Sequence, residues 1–221
     1  TLRELRGAWR EAAGLDADIK LDAPTLDTFA KISGQKLPKA GPLHVAGHVR
    51  EEGGVYTIKA LQAEAGKIKM LVDGKITPGH PVKMSVTVDL AAESLANIND
   101  FAGTQLPDIK PLSVNAKLSD KDGGYQLNDI KIKLGNSDMS GKATLNLKGN
   151  RPALAGGFNS NLVDLSPFSG DKKKDGKQPQ KAKVFSSEPL PFEGMKAADV
   201  HMDIKAKQVK TSELTMENLN I

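Results

Sequence analysis

Residues 21–70 recur without a gap 69 positions further along the chain. Leu21, Ala23, Leu26, Gly34, Leu37, Pro38, Pro42, Leu43, Val45, Gly54, Tyr56, Gly66 and Met70 return as Leu90, Ala92, Leu95, Gly103, Leu106, Pro107, Pro111, Leu112, Val114, Gly123, Tyr125, Gly135 and Met139. Chance pairing at roughly 6% per position would give about three identities over such a window, far fewer than these. A chain that repeats at this period is expected to fold as a series of like units, each lying against the next.

Each copy has the same order of parts. An alternating strand comes first, with Ala17, Ile19 and Leu21 on one face and Asp18, Lys20 and Asp22 on the other; Val82, Met84, Val86, Val88 and Leu90 are its second version. A short helix of about ten residues follows. Pro24 suits a first helical position, Gly34 a stop, and Leu26, Phe29 and Ala30 share a face; Leu95, Ile98 and Ala102 do so in the second copy. Leu-Pro and Pro-Leu return the chain to a strand in which Leu43, Val45, Gly47 and Val49 alternate with His44, Ala46, His48 and Arg50, matched by Leu112, Val114, Ala116 and Leu118. Hairpin turns are expected at 51–54 and 120–124, and a fourth strand after Gly66 and Gly135.

The third strand of each copy changes phase. Tyr56 and Ile58 give way to Leu61 and Ala63, and Tyr125 and Leu127 to Ile130 and Ile132. Both halves can face the same side only if the strand carries a bulge, which also bends it. Leu214 and Met216, then Leu219 and Ile221, begin the pattern a third time. The fold class expected is therefore mainly β: a curved antiparallel sheet, a repeating β-groove or half-pipe, built from units of about 69 residues with about four strands and one short helix each. The expected divisions are an amphipathic helix over 1–14 (Leu2, Leu5, Trp9), a first β-groove repeat over 15–81, a second over 82–152, the start of a third over 153–168, and a Lys-rich linker over 169–183.

Two short helices cannot cover the apolar face of so many strands. Alternation assigns to that face Ile19, Leu21, Leu43, Val45, Val49, Ile58, Leu61, Ile68, Met70 and Val72 from the first copy. From the second it assigns Met84, Val86, Val88, Leu112, Val114, Leu118, Leu127, Ile130, Ile132, Met139, Leu145 and Leu147. An exposed apolar surface of this size calls for a ligand or a partner. A lining of aliphatic and Met side chains suits flexible acyl chains, each buried CH₂ contributing about 0.8 kcal/mol. A closed sandwich or barrel, packing the same face on itself, satisfies the alternation equally well.

Charge and motifs exclude other classes. The net charge of +4 arises within 169–183 (SGDKKKDGKQPQKAK), which carries six Lys and two Asp, so the rest of the chain is neutral and no nucleic-acid partner is expected. That stretch reads as a solvated linker, with attraction to anionic headgroups as the competing reading. No run approaches the roughly 20 apolar residues of a membrane span, and the first ten residues lack the apolar core of a signal peptide. Cysteine is absent, so thiolate metal sites are excluded. His44 and His48 lie on a strand, about 13 Å apart by the rise per residue, too far to share a metal. Asp120-Lys-Asp-Gly-Gly is a hairpin turn rather than a calcium loop. No nucleophile, phosphate-loop or dinucleotide motif occurs, so neither enzyme activity nor a cofactor is expected.

The order of strand, short helix, Leu-Pro return and the hairpin IKLGNSDMSGKATLNLKG (130–149) resembles the AsmA-like family. So does VFSSEPLPFEGMKAADVHMDIKAKQVKTSELTMENLNI (184–221), which looks like that family's C-terminal module, here truncated. The resemblance implies a bacterial envelope protein related to the bridge-like lipid transfer proteins. Such a protein is anchored in the inner membrane by an N-terminal helix that this segment lacks, and extends a β-groove through the periplasm. It further implies phospholipids as partners, in inner-to-outer membrane transport and outer-membrane homeostasis. The alternative is a structural or scaffold module that binds another envelope protein in outer-membrane protein assembly.

Overall fold

A computed structural model describes residues 14–29, 37–79, 81–168 and 199–220. The amphipathic helix expected before residue 14, the second half of the helix expected near 24–34, the linker at 169–183 and the start of the C-terminal module lie outside the described residues. Eleven strands form one sheet: β1 (Asp16–Ala23), β2 (Leu43–Glu52), β3 (Val55–Ala65), β4 (Ile68–Thr77), β5 (Lys83–Ala92), β6 (Leu112–Lys121), β7 (Gly124–Leu134), β8 (Ser137–Asn146), β9 (Ala153–Asp164), β10 (Asp199–Lys210) and β11 (Thr215–Asn220). Their order in the sheet is their order in the chain, and β1 does not pair with β11, so the sheet is open. No described helix is long and apolar enough to cross a membrane.

The phase changes read from the sequence coincide with breaks in the ladder. Pairing of β3 with β4 shifts between Ile58 and Leu61, and pairing of β7 with β8 shifts between Leu127 and Ile130. Ala60 and Asp129 sit inside these bulges at φ of 48° and 52°, and Asn218 in β11 at 55°. Few non-glycine residues adopt this left-handed conformation. A bulge lets the chain absorb the extra residue and keep Tyr56, Ile58, Leu61 and Ala63 on one side. The Ala60 N–H, left without a ladder partner, donates to Asp73 Oδ1 at 2.7 Å.

Two expectations are corrected. The sheet is not antiparallel throughout, because β10 runs parallel to β9, from Asp199 opposite Ala153 to Lys210 opposite Asp164. Parallel neighbours need a crossover of a dozen residues or more, and the connection over 165–198 is long enough to supply it. The second helix is also tighter than expected. It is a 3-10 turn over Leu95–Ile98 followed by a single α-turn over Asn99–Ala102. Ser94 caps it: its Oγ accepts from the Ala96 N–H at 3.1 Å while Asn97 Oδ1 accepts from the Ser94 N–H at 2.9 Å. Gly103 ends it in the left-handed region at φ 67°. Leu95 and Ile98 pack on Ile68, Ala92 and Leu112 at one end of the strands.

Candidate functional site

Antiparallel partners point to the same side of a sheet, so the registers assign the faces. On one side Leu21 is opposite Val45, Val45 opposite Ala63, Ala63 opposite Met70, Met70 opposite Leu90, Leu90 opposite Val114, Val114 opposite Ile132, and Ile132 opposite Met139. A second row joins Leu61, Val72, Val88 and Ala116, and continues past the bulge through Ile130, Gly141, Phe158 and Ile204. The other rows hold Ile19, Leu43, Val49, Ile58, Ile68, Met84, Val86, Leu112, Leu118, Leu127 and Leu145 on this same side. All but one of the expected lining residues thus share one face.

Leu147 is the exception. It follows the last residue of β8, its N–H donates to the Gly123 carbonyl at 2.7 Å, and its side chain is 47% exposed. Five apolar residues of the last three strands, Leu154, Phe158, Met202, Ile204 and Leu219, were not expected on the face but extend it. Their alternation was visible in the sequence; the register that aligns them with the rest was not.

Among the described residues the face crowds its own side chains without a second layer. Val86 and Ile130 are 7% and 6% exposed, yet the apolar clusters join only neighbouring strands and the helical turn, and no described side chain is fully buried. An apolar cleft of about 230 Å³ lies at the hairpin end of this face, among Met84, Leu118, Tyr125, Leu127, Ala143, Leu145 and Leu154. Two acid–phenol pairs also lie here, Glu51 opposite Tyr56 and Asp120 opposite Tyr125. The sequence places Glu51 and Asp120 in turns and Tyr56 and Tyr125 on the strands that follow. Glu51 accepts from the N–H groups of Gly14 (2.6 Å) and Gly54 (2.7 Å), which hold its carboxyl below the usual range.

The opposite face is polar and internally paired. Lys117 meets Asp129 at 2.7 Å, which holds that carboxyl below its ordinary value, and Lys69 meets Glu64 at 3.1 Å. His44 Nδ1 lies 2.6 Å from Asp22, and His48 lies between Asp16 (2.8 Å) and Asp18 (2.9 Å), so each histidine pairs with β1 carboxylates. Among the described residues no group of three or more His, Asp or Glu side chains is placed to hold a metal. A larger concavity, about 480 Å³, lies on this side over β3 to β7; Leu71 and Ala91 line it beside Gln62, Asp89, Asn115 and Lys131, and most of its wall is apolar. A twisted sheet is hollow along one diagonal of each face, so concavity alone does not mark the site. The two differ in their side chains: Asn115 Nδ2 donates to Asp89 Oδ1 at 2.5 Å within the larger one, whereas Met84, Leu118, Leu127 and Leu145 line the smaller.

Between β8 and β9 the backbone ladder stops at Ser140 opposite Asn159. Beyond it Asp138 takes over as acceptor, from the N–H groups of Asn161 (2.9 Å) and Leu162 (3.0 Å), from Asn161 Nδ2 (2.6 Å) and from Ser160 Oγ (3.3 Å). The Leu162 N–H and the Asn161 side chain contribute most to lowering its carboxyl to about 2. This side-chain splice keeps β9 in the sheet while it turns to meet β10. Comparison of the chain with protein-family models, with curated proteins and with solved structures finds no match in any of the three.

Proposed function

We propose that this chain is a lipid-binding segment of an AsmA-like envelope protein, with the apolar face forming a half-pipe that holds phospholipid acyl chains. The observation that carries the reading is one apolar face continuous over eleven hydrogen-bonded strands, with no second layer among the described residues. Ten ladder steps of about 4.8 Å give a track of about 48 Å across strands about 33 Å long, several times the apolar patch a monomer ordinarily exposes. Bulges at equivalent places in β3 and β7, together with the burial of Val86 and Ile130 within a single layer, support curvature toward this side. The spacing of the two bulges, of Leu26–Phe29 from Leu95–Ile98, and of the Gly66-to-Pro42 and Gly135-to-Pro111 hydrogen bonds is 69 residues in each case (for example 135 − 66), which supports two copies of one unit.

In this reading the segment is a conduit rather than a catalyst. Acyl chains lie along the rows and headgroups remain in water. The family resemblance would set it in the periplasm, with the whole protein anchored in the inner membrane and lipids moving toward the outer membrane. Native mass spectrometry of gently purified protein tests the binding step. Adducts of phospholipid mass are expected. A chain that stays bare after incubation with phosphatidylcholine vesicles contradicts the reading.

A further inference from the structure

The junction of β8 with β9 is held in two different ways along its length. From Asn146 opposite Ala153 to Ser140 opposite Asn159 the strands share a backbone ladder. Three consecutive rungs of it, Ala143–Gly156, Lys142–Gly157 and Gly141–Phe158, each contain a glycine, so no pair of side chains braces the strands there. Beyond Ser140 the ladder ends, and among the described residues 160–164 of β9 are tied to β8 through side chains. Asp138 accepts from the N–H groups of Asn161 and Leu162, and Ser137 Oγ accepts from the Asp164 N–H at 2.8 Å. Successive N–H groups of an extended strand leave by opposite edges, yet both of the first two reach the same oxygen, Asp138 Oδ1, so β9 is kinked between Asn161 and Leu162. The β9–β10 register omits the Asn161 rung at the same place, and Lys207 Nζ reaches Asn161 Oδ1 at 2.9 Å instead. Apart from that rung β9 pairs with β10 from end to end, from Ala153 opposite Asp199 to Asp164 opposite Lys210.

We infer that the β8–β9 junction is a hinge built into the sheet: β9, β10 and β11 swing together against β1 to β8, with the Asp138 side chain as the pivot. A carboxylate on two rotatable bonds can follow a change of angle between strands that a run of backbone rungs resists. The apolar row crosses the junction at Gly141 opposite Phe158, so the swing changes how far the aliphatic face closes at its β9–β11 end and leaves the row continuous. The hinge does not depend on what that face binds.

The chain contains no cysteine, so two spin labels can be introduced without removing a native thiol. Ala46, Asp89, Lys131 and Lys205 stand on one register row of the polar face. Labels at Asp89→Cys and Lys205→Cys span the steps from β5 to β10 across the junction, and labels at Ala46→Cys and Lys131→Cys span as many steps from β2 to β7 without crossing it. Each pair is about 24 Å apart at about 4.8 Å per step, within reach of double electron–electron resonance. The distance distribution is expected to be wider for the pair that crosses the junction, and Asp138→Ala should widen it further while leaving the other pair unchanged. Asp138→Asn keeps the shape of the side chain without its charge, and should quicken amide hydrogen exchange at Asn161 and Leu162 by about tenfold. Equal widths for the two pairs in the protein that keeps Asp138 overturn the hinge. Widening of both pairs alike by Asp138→Ala, or exchange at Asn161 and Leu162 that Asp138→Asn does not move, overturns Asp138 as its pivot.

Discussion

Ile130→Asp is expected to strip the protein of bound lipid, lowering phospholipid adducts by about tenfold or more, and to lower stability by about 3–5 kcal/mol. Ile130 is 6% exposed and packs with Ala116 and Ala143 against Leu127, Ile132, Leu154 and Phe158. Among the described residues a carboxylate there has no cation beside it on its own side, because its neighbour Lys131 projects to the polar face opposite Ser140. It would interrupt the row that runs from Ile130 through Gly141 and Phe158 to Ile204. Lys131→Gln, one residue away but on the other face, is the matched control and should leave lipid content within error. Adduct counting, with circular dichroism to follow strand content, separates the two. Equal loss in both variants would mean that the faces are not chemically distinct in the way described.

Gly74→Ala is expected to be severely damaging, costing about 3 kcal/mol or more of stability as read from a fall in the urea midpoint. Gly74 lies in β4 where β3 shifts register, at φ 147°, and a Cβ there would stand 2.2 Å from the Ser85 carbonyl oxygen and 2.6 Å from Val86 Cα. Both obstacles are backbone, so no rotamer change relieves them, and the β4–β5 ladder must part. Gly157→Ala makes the comparison sharp, since a Cβ at that strand position meets nothing within 4 Å. There the smaller entropy of the unfolded chain should leave stability unchanged or raise it by about 0.5 kcal/mol. Similar losses at the two sites would remove the close approach as the cause.

Several parts of this fold are legible in the residues because strand alternation has a strict period of two. A single change of phase, from Ile58 to Leu61 or from Leu127 to Ile130, has one physical solution, and the ladder shifts at those residues. Direction is not encoded in the same way. VHMDIKA alternates identically whether β10 runs up or down, and its parallel entry beside β9 depends on the connection over 165–198. Helix type was equally hidden, because Leu95 and Ile98 share a face at three residues per turn as well as at 3.6. The capping of Ser94 and Asn97 tightens that turn.

The candidate face shows the same division. Its aliphatic members follow from alternation, and only Leu147 fell outside the sheet, because a strand ends where its partners end and not where its pattern does. The acid–phenol pairs escaped notice because acidic residues beside Gly-Gly read as turn formers. Glu51 and Asp120 do flank hairpins, yet register sets them opposite Tyr56 and Tyr125 on the apolar side. The larger hollow on the polar side had no signal in the sequence, since twist creates it from backbone geometry.

The central claim is that hydrocarbon occupies the aliphatic side of the sheet and not the larger hollow on the opposite face. Photolabelling with a phosphatidylcholine carrying a diazirine near the end of one acyl chain, followed by peptide mapping, measures this directly. Adducts are expected on residues such as Val72, Val88, Leu127 and Ile130. Adducts concentrated on Gln62, Asp89, Asn115 and Lys131, or spread evenly over both faces, would contradict it.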